Sequence, residues 1–250
     1  MFVPLSSASN SGRRPRAFAA HFHLLGCVDF EDCLSLQRRL AYDALTRADG
    51  RIVILIGEHP PLITLGRGGS RRDVRLSGDE LAARGLEVRH ISRGGGAILH
   101  RPGQLAIYPI VPLDWHGWSV GEHLRRLSAG LAAVLAESQI RATPAAGGFS
   151  LLGKTGVLAA LGVAVRGGVT THGAYFNVNP DMRDYPRVHT LPGRSLTSLL
   201  TERLAAVKMT TVRTVLVSRL AEAFACVDPH VHAGHPHLSE LPADHREFAA

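Results

Sequence analysis

The sequence predicts a single α/β (α+β) domain, a mixed sheet with flanking helices. Three observations lead there. Short β-branched runs, RIVILIG (51–57) and LEVRHI (86–91), alternate with segments of helical periodicity. Paired glycines inside VLAALGVAVRGGVTTHGAYFNVNP (157–180) have the form of a hairpin joining two strands. A chain of 250 residues, 45% apolar and 20% charged and with no internal repeat, supplies one substantial core.

Taken in order, residues 29–48 form an amphipathic helix, with Asp29 as N-cap, Asp32 in the first turn and Leu36, Leu40 and Ala44 on one stripe. Gly50 ends it, and RIVILIG follows as a buried strand. In EHPPLITLGR (58–67), Pro60 and Pro61 impose an extended or turning backbone before a second strand. Ser77–Arg84 reads as a short capped helix and LEVRHI as another strand. SRGGGAILHRPGQLAIYPIVPL (92–113) alternates glycine turns with apolar strand. Ser119–Ser138 carries the longest helical signal, with Leu124, Leu127, Leu131 and Leu135 on one face. Ala142–Gly148 is a small-residue loop, and Met209–Cys226 a last amphipathic helix.

The ends differ in composition from this body. Residues 1–20 are rich in Ser, Arg and Pro without a secretory apolar core, which reads as a loose tail on a cytoplasmic protein. Residues 21–226 are the folded domain. Residues 227–250 hold His230, His232, His235, His237 and His245 among Pro, Gly and Ala. Clustered histidines can bind zinc, copper or nickel, but the composition reads as a poorly ordered polar tail, and no metal site is assigned.

Several classes are excluded. No apolar run reaches the ~20 residues that span a bilayer. Cys27, Cys33 and Cys226 are an odd, sparse set unlike a disulfide framework. The net charge of +7 attracts polyanions or acidic protein domains, but the basic residues are scattered and no nucleic-acid motif is legible.

The segment richest in chemistry is Arg93-Gly94-Gly95-Gly96. Successive glycines let the backbone approach a ligand closely and present amide N–H groups to it. The adjacent arginine adds a permanently charged fork. His100 and Gln104 flank the Pro102-Gly103 turn. The run is neither a Walker loop, since no G-K-[ST] follows, nor a G-x-G-x-x-G leading into a clear helix.

EHPPLITLGR, RGGGAILHRPGQLAIYP and THGAYFNVNPD occur in this order within a longer stretch, about residues 24–205, whose order and spacing agree with one family. The arrangement resembles the octanoyltransferases that make protein-bound lipoate. Those carry E-H-P-P-x-x-T-x-G-R, R-G-G-x-x-T-x-H-x-P-G-Q-L-x-x-Y-P, a lysine-initiated K-I-A-x-x-G strand, T-x-H-G-x-x-x-N-x and P-C-G. The resemblance implies a fold related to biotin- and lipoate-protein ligases. It implies transfer of an octanoyl group from acyl carrier protein to a lysine on lipoyl domains of 2-oxoacid dehydrogenases or on glycine-cleavage H protein, with no cofactor. Carried over by position, the acyl-binding segments are Arg93, Gly94, Gly95, Gly96, Ala97, Ile98, Leu99 and His100; then Ala160, Leu161 and Gly162; then Gly173, Ala174 and Tyr175.

The family's catalytic pair is absent. Its members use a cysteine nucleophile whose thiolate a lysine favours. Counting from Gly162 puts the lysine position at Val157, and counting from Gly173 puts the cysteine position at Leu191. A small gap moves the latter to His189 or Thr190, neither of which is cysteine. Lys154, His189 and His100 are the candidate substitutes, with His172 a further histidine at a family position; each also suits a structural role. Cys27, Cys33 and Cys226 read as packing residues. The expectation is an octanoyltransferase-like protein acting by direct transfer or through an unrecognised base. A non-catalytic acyl- or lipoyl-binding homologue and an ATP-dependent lipoate ligase are the alternatives.

Overall fold

The Asp29 side chain accepts hydrogen bonds from the backbone N–H groups of Glu31 and Asp32 at 2.7 and 3.2 Å, which starts helix α1 (Phe30–Arg47). The computed structural model describes residues 19–47, 49–145, 150–191, 193–205 and 207–238. The helix is preceded by β1 (Ala19–Cys27) and followed by β2 (Ile52–Glu58) and β3 (Leu62–Leu65). A Ser77/Glu80 capping box opens α2 (Gly78–Ala83), as the S-x-x-E spacing predicts. Next come β4 (Val88–His90), β5 (Ala97–His100), β6 (Gln104–Ile110) and the single-turn α3 (Leu113–His116). Ser119 caps α4 (Val120–Glu137). Then follow β7 (Thr143–Pro144), β8 (Ser150–Leu152), β9 (Val157–Arg166), β10 (Val169–Asn177), α5 (Leu199–Arg203), α6 (Met209–Ala223) and β11 (Asp228–Ala233).

The main sheet runs β11-β1-β2-β6-β10-β9-β8-β7 and is mixed: the β11, β1 and β2 pairings are parallel and the remainder antiparallel. Both faces are covered, so the central strands β2 and β6 are buried at every position and read as continuous apolar runs. One face packs on α1 through Leu36, Leu40, Ala44, Leu55 and Tyr108. The other packs on α4 and α6 through Leu127, Leu131, Leu216, Leu220, Ile54 and Ile107. A second sheet, β4-β3-β5, has its own small core around Ile63, Leu65 and Leu99. Among the described residues no helix is long and apolar enough to cross a membrane.

The sequence reading and the structure differ at the ends. Residues 1–18 lie outside the described residues, and the expected tail stops there because Ala19 and Ala20 already belong to β1. The tail expected from residue 227 is corrected at 228–233, where β11 adds to the edge of the main sheet in register with β1. Every residue of β11 is exposed, so the strand lacks the apolar alternation by which strands are recognised. His245 lies outside the described residues.

Candidate functional site

The glycine loop stitches the two sheets together. On one side the N–H groups of Gly66, Arg67 and Gly68 donate to the carbonyls of Gly96, Arg93 and Gly95 at 3.2, 2.9 and 3.0 Å. On the other, Gly94 N–H donates to Val163 of β9 at 2.9 Å. Contacts this close explain the glycines on both partners. A Cβ on Gly66 would stand 2.5 Å from the Gly95 oxygen, and one on Gly162 would overlap the Gly94 oxygen and lie 3.0 Å from its carbonyl carbon. Gly95 itself has φ +83°, a conformation that glycine adopts without steric cost.

This junction walls a cavity of about 1140 Å³. The glycine loop and Ile98 form one side, and Ala160, Leu161, Gly162 and Val163 of β9 another, with Tyr175 of β10 beside them. Thr190 and Leu191 close a third side. Leu124, Ser128, Ala129 and Ala132 of α4 supply the fourth. Arg67 and Arg125 also reach the cavity.

Arg93 is the most unusual group in this wall. It is 1% exposed, yet its guanidinium faces only neutral acceptors: the carbonyls of Gly94 and Gly96 at 3.0 Å, and the Thr64 carbonyl and hydroxyl at 3.1 and 2.8 Å. It also lies 5.3 Å from the centroid of the Tyr175 ring, a cation–π arrangement. No carboxylate pairs with Arg93 among the described residues, and its Nε has no hydrogen-bond partner. A buried cation without a counter-ion favours any negative charge that develops beside it.

Behind the wall runs a hydrogen-bonded chain. His100 Nε2 meets the Thr64 hydroxyl at 2.8 Å and His100 Nδ1 meets Gln104 Oε1 at 3.1 Å. Gln104 donates to Asn177 Oδ1 at 2.9 Å, and Asn177 donates to the Thr197 carbonyl at 3.1 Å. Burial, then the neighbouring His59 and Arg93, hold the His100 pKa well below its ordinary value, so it is neutral at pH 7. Burial alone is the main cause that brings His59 down to about 4, where it bridges the Val28 carbonyl and the Tyr108 hydroxyl. His172 falls to about 4 through burial and then Arg93. It is a non-glycine residue at φ +58°, and its backbone N–H is held by Gln37 at 2.7 Å.

Of the residues expected from sequence, Arg93, Gly94, Gly95, Gly96, Ile98, Ala160, Leu161, Gly162, Tyr175 and Leu191 line the cavity together. Ala97 and Leu99 point instead into the small core of the second sheet. His100 lies one layer back, edge-on to Tyr175 at 4.7 Å. Gly173 and Ala174 are not in the wall. A Cβ on Gly173 would collide with the Ile107 carbonyl, so this glycine serves strand packing against β6. Val157 is fully buried beside Leu196, away from the cavity lining. Lys154 is exposed on a turn whose N–H groups are held by Glu202, and His189 reaches Asp73 through its backbone. Neither lines the cavity. Thr190, between His189 and Leu191, does. The α4 wall went unread in sequence, because a helix face that borders a cavity has the same periodicity as one that borders a core.

The mixed sheet, its two helical layers and the glycine-walled cavity define a protein of lipoate-protein-ligase architecture. A solved structure of protein Ta0514 from T. acidophilum with bound lipoic acid superposes with a TM-score of 0.67 at 15% identity, covering 92% of this chain and 93% of that one. The lipoyl protein ligase A/B catalytic domain model matches residues 29–225, and the chain belongs to that family. Within it the chain is octanoyltransferase-like. It is 34% identical to an octanoyltransferase of Roseiflexus sp. (strain RS-1) over 90% of this chain and 96% of the relative. It is 37% identical to an octanoyltransferase of Chloroflexus aurantiacus over 84% of this chain and 96% of the relative.

Proposed function

We propose that the protein transfers an octanoyl group from acyl carrier protein to a lysine of a lipoyl domain directly, with no acyl-cysteine intermediate. The observation that carries this reading is the buried Arg93 guanidinium, without a carboxylate partner, in the wall of a largely apolar and glycine-rich cavity. The volume exceeds the roughly 300–1,000 Å³ of ordinary ligand pockets, so there is room for the acyl chain and the end of a carrier arm. Each buried acyl methylene contributes about 0.8 kcal/mol.

In the step, the neutral acceptor amine attacks the thioester carbonyl carbon. The C–N bond forms, the C–S bond breaks, and the amine's proton leaves with the departing thiol. Arg93 opposes the negative charge that builds on the carbonyl oxygen. No cysteine takes part: Cys27, Cys33 and Cys226 are outside the cavity lining, and burial raises their thiols to about 11, 12 and 12.

The test is to incubate the protein with octanoyl carrier protein and an apo lipoyl domain and weigh the domain. A gain of one octanoyl group supports the proposal. Donor binding without gain reduces the protein to an acyl-binding homologue, and gain only with free octanoate and ATP makes it a ligase.

A further inference from the structure

The parallel register of β1 and β11 places histidine opposite histidine twice, His21 against His230 and His23 against His232. The imidazoles form a continuous run of neighbouring rings on one side of the sheet edge, tilted to one another at His235 and His237. Ring centroids are 5.0 Å apart for His21–His230, 5.2 Å for His21–His232, 4.7 Å for His23–His232, 4.6 Å for His23–His235 and 5.2 Å for His235–His237. Beside the run is a groove of about 500 Å³, into which Asp43 also faces. It is separate from the acyl cavity, and the two share no lining residue.

We propose that this groove binds one divalent transition-metal ion of the zinc, nickel or copper class through imidazole nitrogens. The starting pair is His21 Nδ1 and His232 Nε2, which are 3.0 Å apart. Two nitrogens bound to one tetrahedral zinc at about 2.0–2.1 Å are roughly 3.3 Å apart, so the separation already suits a shared ion; the two rings, now nearly coplanar and facing each other across the hydrogen bond, must each turn to aim their lone pairs at it. The hydrogen now shared between them shifts to the far nitrogen of its own ring, leaving both lone pairs for the ion.

Among the described residues no three ligating side chains already surround a common point. The third ligand therefore comes by rotation of His23 or His235, which follow His232 in the run. Neutral imidazole is the binding form, and burial followed by the neighbouring charges lowers the pKa of His21 and His235. Burial also lowers that of His23, partly offset by its hydrogen bond to Gly234. Two arginines face the same groove, but each has a carboxylate: Arg47 is 3.8 Å from Asp43 and 3.7 Å from Asp49, and Arg51 is 3.5 Å from Asp49.

The test is calorimetric titration of the untagged full chain with zinc chloride at pH 7.5, with cobalt(II) absorption as a second readout. We expect one equivalent bound with micromolar or tighter Kd, and cobalt bands of tetrahedral intensity. The double variant His21→Gln/His232→Gln should lose at least tenfold in affinity. His230→Gln, outside the groove, should bind as the parent does, and the single variant His232→Gln, which should also weaken binding, guards against a folding defect in the double one. No saturable binding up to millimolar zinc would overturn the proposal. So would equal affinity in a folded double variant.

Discussion

Replacing Gly162 by alanine isolates the junction on which the cavity depends. Gly162 is not among the positive-φ glycines, so its backbone is one that alanine adopts freely. In a strand with free space the change would stabilise by roughly 0.5–1 kcal/mol, because glycine loses more backbone freedom on folding. Here the new methyl group would overlap the Gly94 carbonyl oxygen and sit 3.0 Å from its carbon. Overpacking of this kind costs about 1–3 kcal/mol. Displacing the loop also breaks the Gly94–Val163 hydrogen bond, worth about 1 kcal/mol. Net of the propensity gain, the expected sum is a loss of about 1–3.5 kcal/mol, opposite in sign to the propensity effect. Urea unfolding measures it directly, and octanoyl-carrier binding should weaken in step. A variant as stable as the parent, or more so, would show that the loop does not press on β9 as described.

Three further expectations concern the same machinery. Arg93→Lys keeps the charge but not the fork, and loss of one charge-assisted hydrogen bond of roughly 1.5–3 kcal/mol should weaken donor binding about 10- to 100-fold; unchanged affinity in the folded variant would remove Arg93 from the acyl site. Alkylation with iodoacetamide at pH 7.5 should leave transfer intact, since burial keeps all three thiols protonated, and stoichiometric inactivation mapped to Cys226 would refute direct transfer. His59, His123 and His172 are held down to about 4 in the folded state, mainly by burial, against an ordinary 6.5. The unfolded chain therefore takes up these protons first as pH falls, so stability is full above about pH 6.5 and declines from there towards pH 4. A urea midpoint no lower at pH 5 than at pH 7.5 would contradict this.

Sequence revealed the elements whose ends carry their own chemistry. Asp29, Ser77 and Ser119 announce three helices because each side chain satisfies an otherwise unpaired N–H group, and that need is local. Gly167 and Gly168, both at positive φ, announce the β9–β10 turn in the same way. β11 was illegible because its pairing is set by a partner some 200 residues away, with no buried face to impose a pattern. At the site, Arg93 and its glycines were legible as a group, whereas Gly173 shows the limit of such reading. The residue is required, but by a carbonyl on the neighbouring strand and not by a ligand.

The family match ends at residue 225, three positions before β11 begins. Cutting the chain after Cys226 on that basis would strip β1 of its outer neighbour and bare the backbone donors and acceptors of the six residues, Ala19 to Leu24, that now pair with β11. Such a margin pairs readily with another copy. The trimmed protein should self-associate more readily than the parent chain, because the exposed outer strand carries Pro229 and three polar side chains where β1 would present a flatter, more apolar margin.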